Sequence, residues 1–160
     1  MHMESTPEHE WLKQLIGEWE YEHKWITGES DETMTSKGRE VFRPFGDLWV
    51  IGELTGTMPG GSEMTALTTL GFDPVKGKFI GNWIGTPMTH MFIYEGERNA
   101  DNTVLTLNCS GPSFEDVSEM ADYQDIMEFK SPEERLFFSQ YKDNEGNWQR
   151  FMEGVLRRTK

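Results

Sequence analysis

The stretch Gly17-Glu18-Trp19-Glu20-Tyr21-Glu22-His23-Lys24-Trp25 decides the fold. Rings at 19, 21, 23 and 25 alternate with charges at 20, 22 and 24. A period of two sets the rings on one face of a β-strand and the charges on the other. The rings need a cover, and the far end of the chain supplies one: the last strand candidate carries Arg157-Arg158. A Trp on the first strand and an Arg on the last suit the seam of a closed antiparallel barrel. The indole of Trp19 is a large apolar plug. A guanidinium can lie flat on its face while its donors reach backbone carbonyls. Small closed barrels usually hold something in the middle.

Working outward, Thr6-Pro7-Glu8 opens a helix with a hydroxyl cap, a proline at the first position and acids in the first turn. Trp11, Leu12, Leu15 and Ile16 give it an apolar face, and Gly17 ends it. This helix is placed to plug one mouth of the barrel. Residues 1–5 are expected to be disordered, and His9 to be solvated. After Trp25 comes a polar loop, Thr27 to Thr35. Further strands are predicted at 37–43, 48–57, 65–72, 78–85, 90–97, 103–109, 122–130, 135–142 and 147–158. Turn chemistry separates them, as at Phe45-Gly46-Asp47, Met58-Pro59-Gly60-Gly61 and Asp73-Pro74-Val75-Lys76-Gly77. Ser110 to Ala121, with Pro112 and several acids, is the longest break in the second half and suggests a short helix or a flap. About ten short strands with hairpin-length links predict a mainly β, up-and-down antiparallel barrel with one N-terminal helix. Parallel strands would need crossover helices, for which there is no room.

At 160 residues the chain is expected to form a single domain, 1–160. One cysteine, Cys109, excludes an intrachain disulfide and fits a reducing compartment. No apolar run is long enough for a membrane span and no signal-peptide core is present, so a cytoplasmic protein is expected. The net charge of −13 argues against nucleic acid and anionic lipid as partners and favours solubility. A homodimer is plausible, with no direct sign of one.

The familiar catalytic signatures are absent: no phosphate loop, HExxH, nucleophile elbow or CxxC pair. No spacing supplies the three or four ligands of a zinc site. His23 shares parity with Trp19 and Trp25 and should face inward, as a packed core imidazole, a ligand contact or a general base. His90 sits near a rim. It is conceivable as an axial haem ligand; otherwise no cofactor is expected. Cys109 reads as a small hydrophobe rather than a nucleophile. Arg39 could hold a carboxylate near the mouth if its face of the second strand is inward; otherwise it lies on a solvated edge. Five strand tryptophans and several methionines make an adaptable wall suited to a planar or lipophilic guest. Ligand contacts are expected from His23, Trp25, Arg39, Trp49, Trp83, His90, Tyr94, Tyr123, Met127 and Tyr141. Should the barrel be catalytic, His23 with Glu128 or Asp125 are the candidates.

Three runs carry a family resemblance. Leu12-x-x-Leu15-x-Gly17-x-Trp19, Leu70-Gly71-Phe72-Asp73-Pro74 with Lys78-Phe79-Ile80-Gly81-Asn82-Trp83, and Phe151-Met152-Glu153 with Arg157-Arg158-Thr159-Lys160 resemble the bacterial domain of unknown function 1579. The resemblance spans nearly the whole chain. It implies a lipocalin-like, or calycin-like, barrel with an N-terminal helix, and no established activity. It matches Arg158 to the family's terminal-strand Arg, so Trp19 and Arg158 are the expected closure pair. It also implies an Asp two residues after the Trp of the Gly-x-Trp-Ile strand, where this chain has Gly85. The leading expectation is a carrier of a small apolar or aromatic molecule. The alternative is an isomerase, cyclase or hydrolase working inside the cavity, and a third reading is a filled barrel with no guest.

Overall fold

A computed structural model describes residues 1–26 and 34–160; most of the predicted 27–35 loop lies outside the described residues. The helix α1 spans Pro7–Leu12 and runs through a 3-10 turn, Lys13–Leu15, into the first strand. Ten strands follow: β1 Gly17–Trp25, β2 Met34–Phe45, β3 Trp49–Thr57, β4 Glu63–Asp73 and β5 Lys78–Gly85, then β6 Phe92–Arg98, β7 Val104–Pro112, β8 Met120–Ser131, β9 Glu134–Lys142 and β10 Trp148–Arg158. Each pairs antiparallel with its sequence neighbours, and β10 returns to β1, closing the barrel. At the seam Trp19 faces Arg158 across the ladder and Trp25 faces Met152. Bulges interrupt β8 near Phe129 and β10 near Phe151. No described helix is long and apolar enough to cross a membrane.

The seam shows why the chain starts and ends as it does. The indole N–H of Trp19 donates to the Leu15 carbonyl at 2.9 Å. The Arg158 guanidinium lies 4.3 Å from the Trp19 ring centroid. Its three nitrogens donate to the carbonyls of Ile16 and Gln14, each at 2.6 Å, and Pro132 at 2.8 Å. Arg158 thus joins the helix exit, the β8–β9 turn and the last strand. Gly17 bends the chain from helix to strand at φ +137°, a conformation that side chains rarely adopt. A Cβ there would overlap the Arg158 guanidinium and lie 2.5 Å from the Lys160 carbonyl.

The helix caps itself and fills one end. Thr6 and His9 form a reciprocal capping box: the Thr6 N–H donates to His9 Nδ1 at 2.9 Å, and the His9 N–H donates to Thr6 Oγ1 at 3.4 Å. His9 is therefore buried rather than solvated, with its ring edge-on to Phe72 at 5.9 Å. Leu12, Leu15, Phe42, Leu70, Phe79, Leu105, Leu107 and Leu156 pack the adjoining half of the barrel, with no side chain more than 2% exposed.

The break at 110–121 is shorter than expected and contains no helix. Strand β7 continues to Pro112 and β8 begins at Met120. The proline occupies the final strand position, where a missing N–H costs least, and its carbonyl accepts from the Tyr123 hydroxyl at 2.5 Å. Residues 113–119 form a tight bend, held by Ser113 N–H to the Glu119 carbonyl at 2.8 Å.

Candidate functional site

Strand parity separates the interior from the outer wall. The inward set on β1 is Trp19, Tyr21, His23 and Trp25; on β2 it is Ser36, Gly38, Glu40 and Phe42. On β8 and β9 it is Tyr123, Asp125, Met127 and Phe129, then Arg135, Phe137, Ser139 and Tyr141. The two halves differ in access. Leu15, Leu70, Leu105 and Leu107 near the helix are fully covered. Towards the other mouth, the inward residues Trp25, Trp83, Cys109, Asp125, Phe137 and Tyr141 are only half-buried. Asp125 and Phe137 lie mid-strand, where an inward side chain meets solvent chiefly from the inside, so we read the barrel as a cup: packed by leucines at the helix end and open at the other.

Three polar groupings stand inside. The lowest is an ion pair between Arg135 and Glu40, both buried. The Arg135 guanidinium lies 4.8 Å from the Trp19 ring and 5.5 Å from Phe42, so it shares the floor with the closure residues. Burial pulls its pKa down while Glu40 pulls it up; burial has the larger effect. Its Nε has no partner among the described residues.

Above it, His23 lies 4.4 Å from the Tyr21 ring and stacks on Phe137 at 5.7 Å. Its ring occupies the space that a side chain at Gly154 would take. Burial, with the nearby Arg135 charge second, lowers its pKa to about 4, so the imidazole is neutral at pH 7.

The third grouping is Asp125. Its Oδ2 accepts from the Tyr94 hydroxyl, and its Oδ1 accepts from Ser139 Oγ at 2.5 Å. Burial raises its pKa, partly offset by these two donors. Burial also raises the neighbouring Cys109 thiol, and the Asp125 charge adds to the effect. A thiol held protonated is a packing group and not a nucleophile.

The open mouth is ringed with aromatics. Phe114, from the β7–β8 bend, meets Tyr123, Tyr141 and Phe151 edge-on at 5.8, 5.6 and 4.9 Å. Trp25 lies 6.2 Å from Phe151, and Phe92 sits between Trp83 and Tyr123. Phe114 is 61% exposed, a large share for a phenyl ring in an aromatic cluster.

Of the residues expected from the sequence, His23, Trp25, Trp83, Tyr94, Tyr123, Asp125, Met127 and Tyr141 share the interior. Three others do not. Arg39 is on the outer face of β2, 3.3 Å from Glu18, because the inward parity of that strand belongs to Glu40 and Phe42. Trp49 lies on the outer wall, its ring over Gly71, where a Cβ would come within 2.5 Å of it. Glu128 points outward to Lys130 at 3.6 Å. His90 precedes β6 rather than opening it; its Nε2 donates to the Ser110 carbonyl at 2.8 Å, so that nitrogen is not free for a metal. Sequence reasoning missed Glu40, Arg135, Ser139 and Phe137 as interior residues. Parity with Phe42 on β2, and with Tyr141 on β9, was the available signal. No group of His, Cys, Asp and Glu among the described residues could hold a metal ion.

Two clefts lie away from this interior. One of about 540 Å³ runs along the outer wall by Lys78, Glu95, Glu97 and Asn108; one of about 330 Å³ lies at the helix end by Phe129, Pro132 and Arg158. Both are built from residues at the surface or at the plugged end.

A ten-stranded antiparallel barrel with a helical plug and an inward aromatic lining defines a lipocalin-like protein. Residues 4–158 match the family described as "Protein of unknown function (DUF1579)", and the chain belongs to that family. No functionally curated protein matches it in sequence. Among solved structures it is similar to the S-type phycobiliprotein lyase CPES from Guillardia theta, at TM-score 0.65 and 12% identity over 97% of this chain and 94% of that one. Rv2717c from M. tuberculosis gives 0.63 and 14% identity over 98% and 100%. The barrel EF1p2_mFAP2b, bound to DFHBI, gives 0.51 and 14% over 94% and 98%. At such identities the likeness is one of fold.

Proposed function

We propose that the protein binds a small, largely aromatic or apolar molecule in the half of the barrel opposite the helix. One observation carries this reading: inward-facing Trp25, Trp83, Phe137 and Asp125 remain half-buried, whereas Leu15, Leu70, Leu105 and Leu107 near the helix are sealed. Rings with a few fixed polar groups are the usual lining of a small-molecule site. The exposed Phe114 and the bend that carries it would cover such a guest. The fold supports the reading by analogy, since EF1p2_mFAP2b holds DFHBI. Native mass spectrometry of untagged protein purified from its host is the test. A one-to-one small molecule that is released by denaturing extraction is expected. Bare protein that also fails to take up N-phenyl-1-naphthylamine would overturn the proposal.

A second reading, an enzyme acting on such a guest, is favoured by Asp125. A carboxyl with a raised pKa, hydrogen-bonded to Tyr94 in an accessible interior, suits proton transfer. It predicts that the extracted molecule is converted by wild type and not by Asp125→Asn. Retention of the molecule unchanged by both would exclude it.

A further inference from the structure

The polar groups that the open half of the barrel presents are not balanced in charge. Among the described residues, every lysine and arginine is either on the outer wall, at the helix end, or, for Arg135, sealed at 1% exposure and paired with Glu40. Lys24, Lys142 and Arg150, the cations nearest the open mouth in sequence, all lie on outward or exposed positions. Arg150 stacks on the outer ring of Phe138 at 4.1 Å, and Lys142 lies 5.8 Å from exposed Trp148. His23 is neutral and flanked by rings. Among the described residues, the inward-facing acids of the strands are Glu40, sealed against Arg135, and Asp125, which is half-buried.

Asp125 is held by two donors but not used up by them. Tyr94 occupies one oxygen and Ser139 the other. Each carboxylate oxygen has two lone pairs, so the pair keeps acceptor capacity towards the half-buried side. Burial raises both Asp125 and the neighbouring Cys109 thiol, and Tyr94 and Ser139 beside it are buried, so it sits in a low-dielectric setting in which a charge-assisted hydrogen bond is strong and a like charge is strongly disfavoured.

We infer that Asp125 sets the selectivity of the barrel: its guest is an aromatic molecule bearing a hydrogen-bond donor or a cationic amine, and aromatic carboxylates are rejected. This rests on the binding reading proposed above and names its ligand class. It replaces the carboxylate-binding role expected of Arg39, which faces away from the interior. The ammonium or N–H of the guest would lie against Asp125, with its ring between Trp83, Phe137 and the mouth aromatics.

The test uses three molecules with one ring system: 1-naphthylmethylamine, 1-naphthylmethanol and 1-naphthoate. Each is titrated calorimetrically at pH 7 into the full chain and into Asp125→Asn. Wild type is expected to bind the amine at least tenfold more tightly than the carboxylate, with the alcohol between them. The acidic surface alone would favour the amine somewhat, so the variant decides the assignment. Asp125→Asn should cut the amine-to-carboxylate ratio at least fivefold and weaken the alcohol less than the amine. A ratio that survives the substitution would assign the preference to net charge and overturn the inference, as would tighter binding of naphthoate by wild type. Failure of all three to bind would overturn the binding reading itself and the inference with it. Ser139→Ala provides a second variant: it strips from Asp125 one of the donors that favour its ionised form and should lower the ratio, and an unchanged ratio counts against the inference even if Asp125→Asn fails to fold.

Discussion

Arg158 concentrates the closure of the barrel in one side chain. It makes three hydrogen bonds to carbonyls from two segments, the helix exit and the β8–β9 turn, and covers the Trp19 ring. Charged hydrogen bonds contribute on the order of 1.5–3 kcal/mol each in favourable settings, with losses that do not add. Arg158→Ala is therefore expected to destabilise the protein by about 3 kcal/mol in urea unfolding. Arg158→Lys should not restore it, because a point charge cannot reach three carbonyls and also stack. An alanine variant as stable as wild type would contradict this account of the seam. His23 makes a separate prediction. Its folded pKa, about 4, lies below the ordinary value near 6.5. The unfolded chain therefore binds more protons between these values, and its contribution is present above pH 6.5 and lost as pH falls towards 4. The loss is on the order of 3 kcal/mol. Denaturant midpoints taken from pH 7 to pH 4 should fall less steeply in His23→Phe. Asp125 has the opposite sign: its pKa is raised, so ionisation disfavours the folded state as pH rises. Asp125→Asn should be at least as stable as wild type at pH 7, which would mark Asp125 as a residue kept for a purpose other than stability.

At the scale of elements, alternation made the strands legible. The predicted and observed strands agree to within a few residues at nearly every boundary, because turn residues separate short runs that alternate between a covered and a wet face. Parity was legible on β1, where the rings leave no choice, and illegible on β2. There Glu40 and Phe42 on one face compete with Arg39, Val41 and Arg43 on the other, and only the Arg135 partner, 95 residues away, settles the matter. A buried ion pair is invisible to a pattern that equates charge with solvent. Trp49 misled for the converse reason: a large ring on the outer wall finds cover on a glycine of the adjacent strand. The same device works inside. The Trp83 ring lies over Gly85, where the family resemblance implies an Asp. Gly85→Asp is expected to drive the Trp83 ring from its place and destabilise the barrel by about 1–3 kcal/mol. Unfolding midpoints and Trp83 fluorescence would report it; an unperturbed indole would show that the wall has room to spare.

For the whole molecule, the helix and the leucines around it complete a plug, and the aromatic end remains open. The sequence indicated a container through its count of rings, yet could not say which mouth was open. That depends on where ten inward faces place their largest side chains relative to the helix, a property of the closed register and not of any one segment. The six tryptophans offer a direct reading of the result, since they occupy distinct places. Trp25 and Trp83 line the open half, Trp19 is sealed, Trp11 packs at the helix end, and Trp49 and Trp148 lie on the outer wall. Nitrogen-15 correlation spectra of the indole N–H groups, recorded during titration with 1-naphthylmethanol, would resolve them. Saturable shifts at Trp25 and Trp83, with Trp19, Trp49 and Trp148 unmoved, are the result expected. Shifts confined to the outer tryptophans, or none at any of the six, would contradict the claim that this barrel is a cup open opposite its helix.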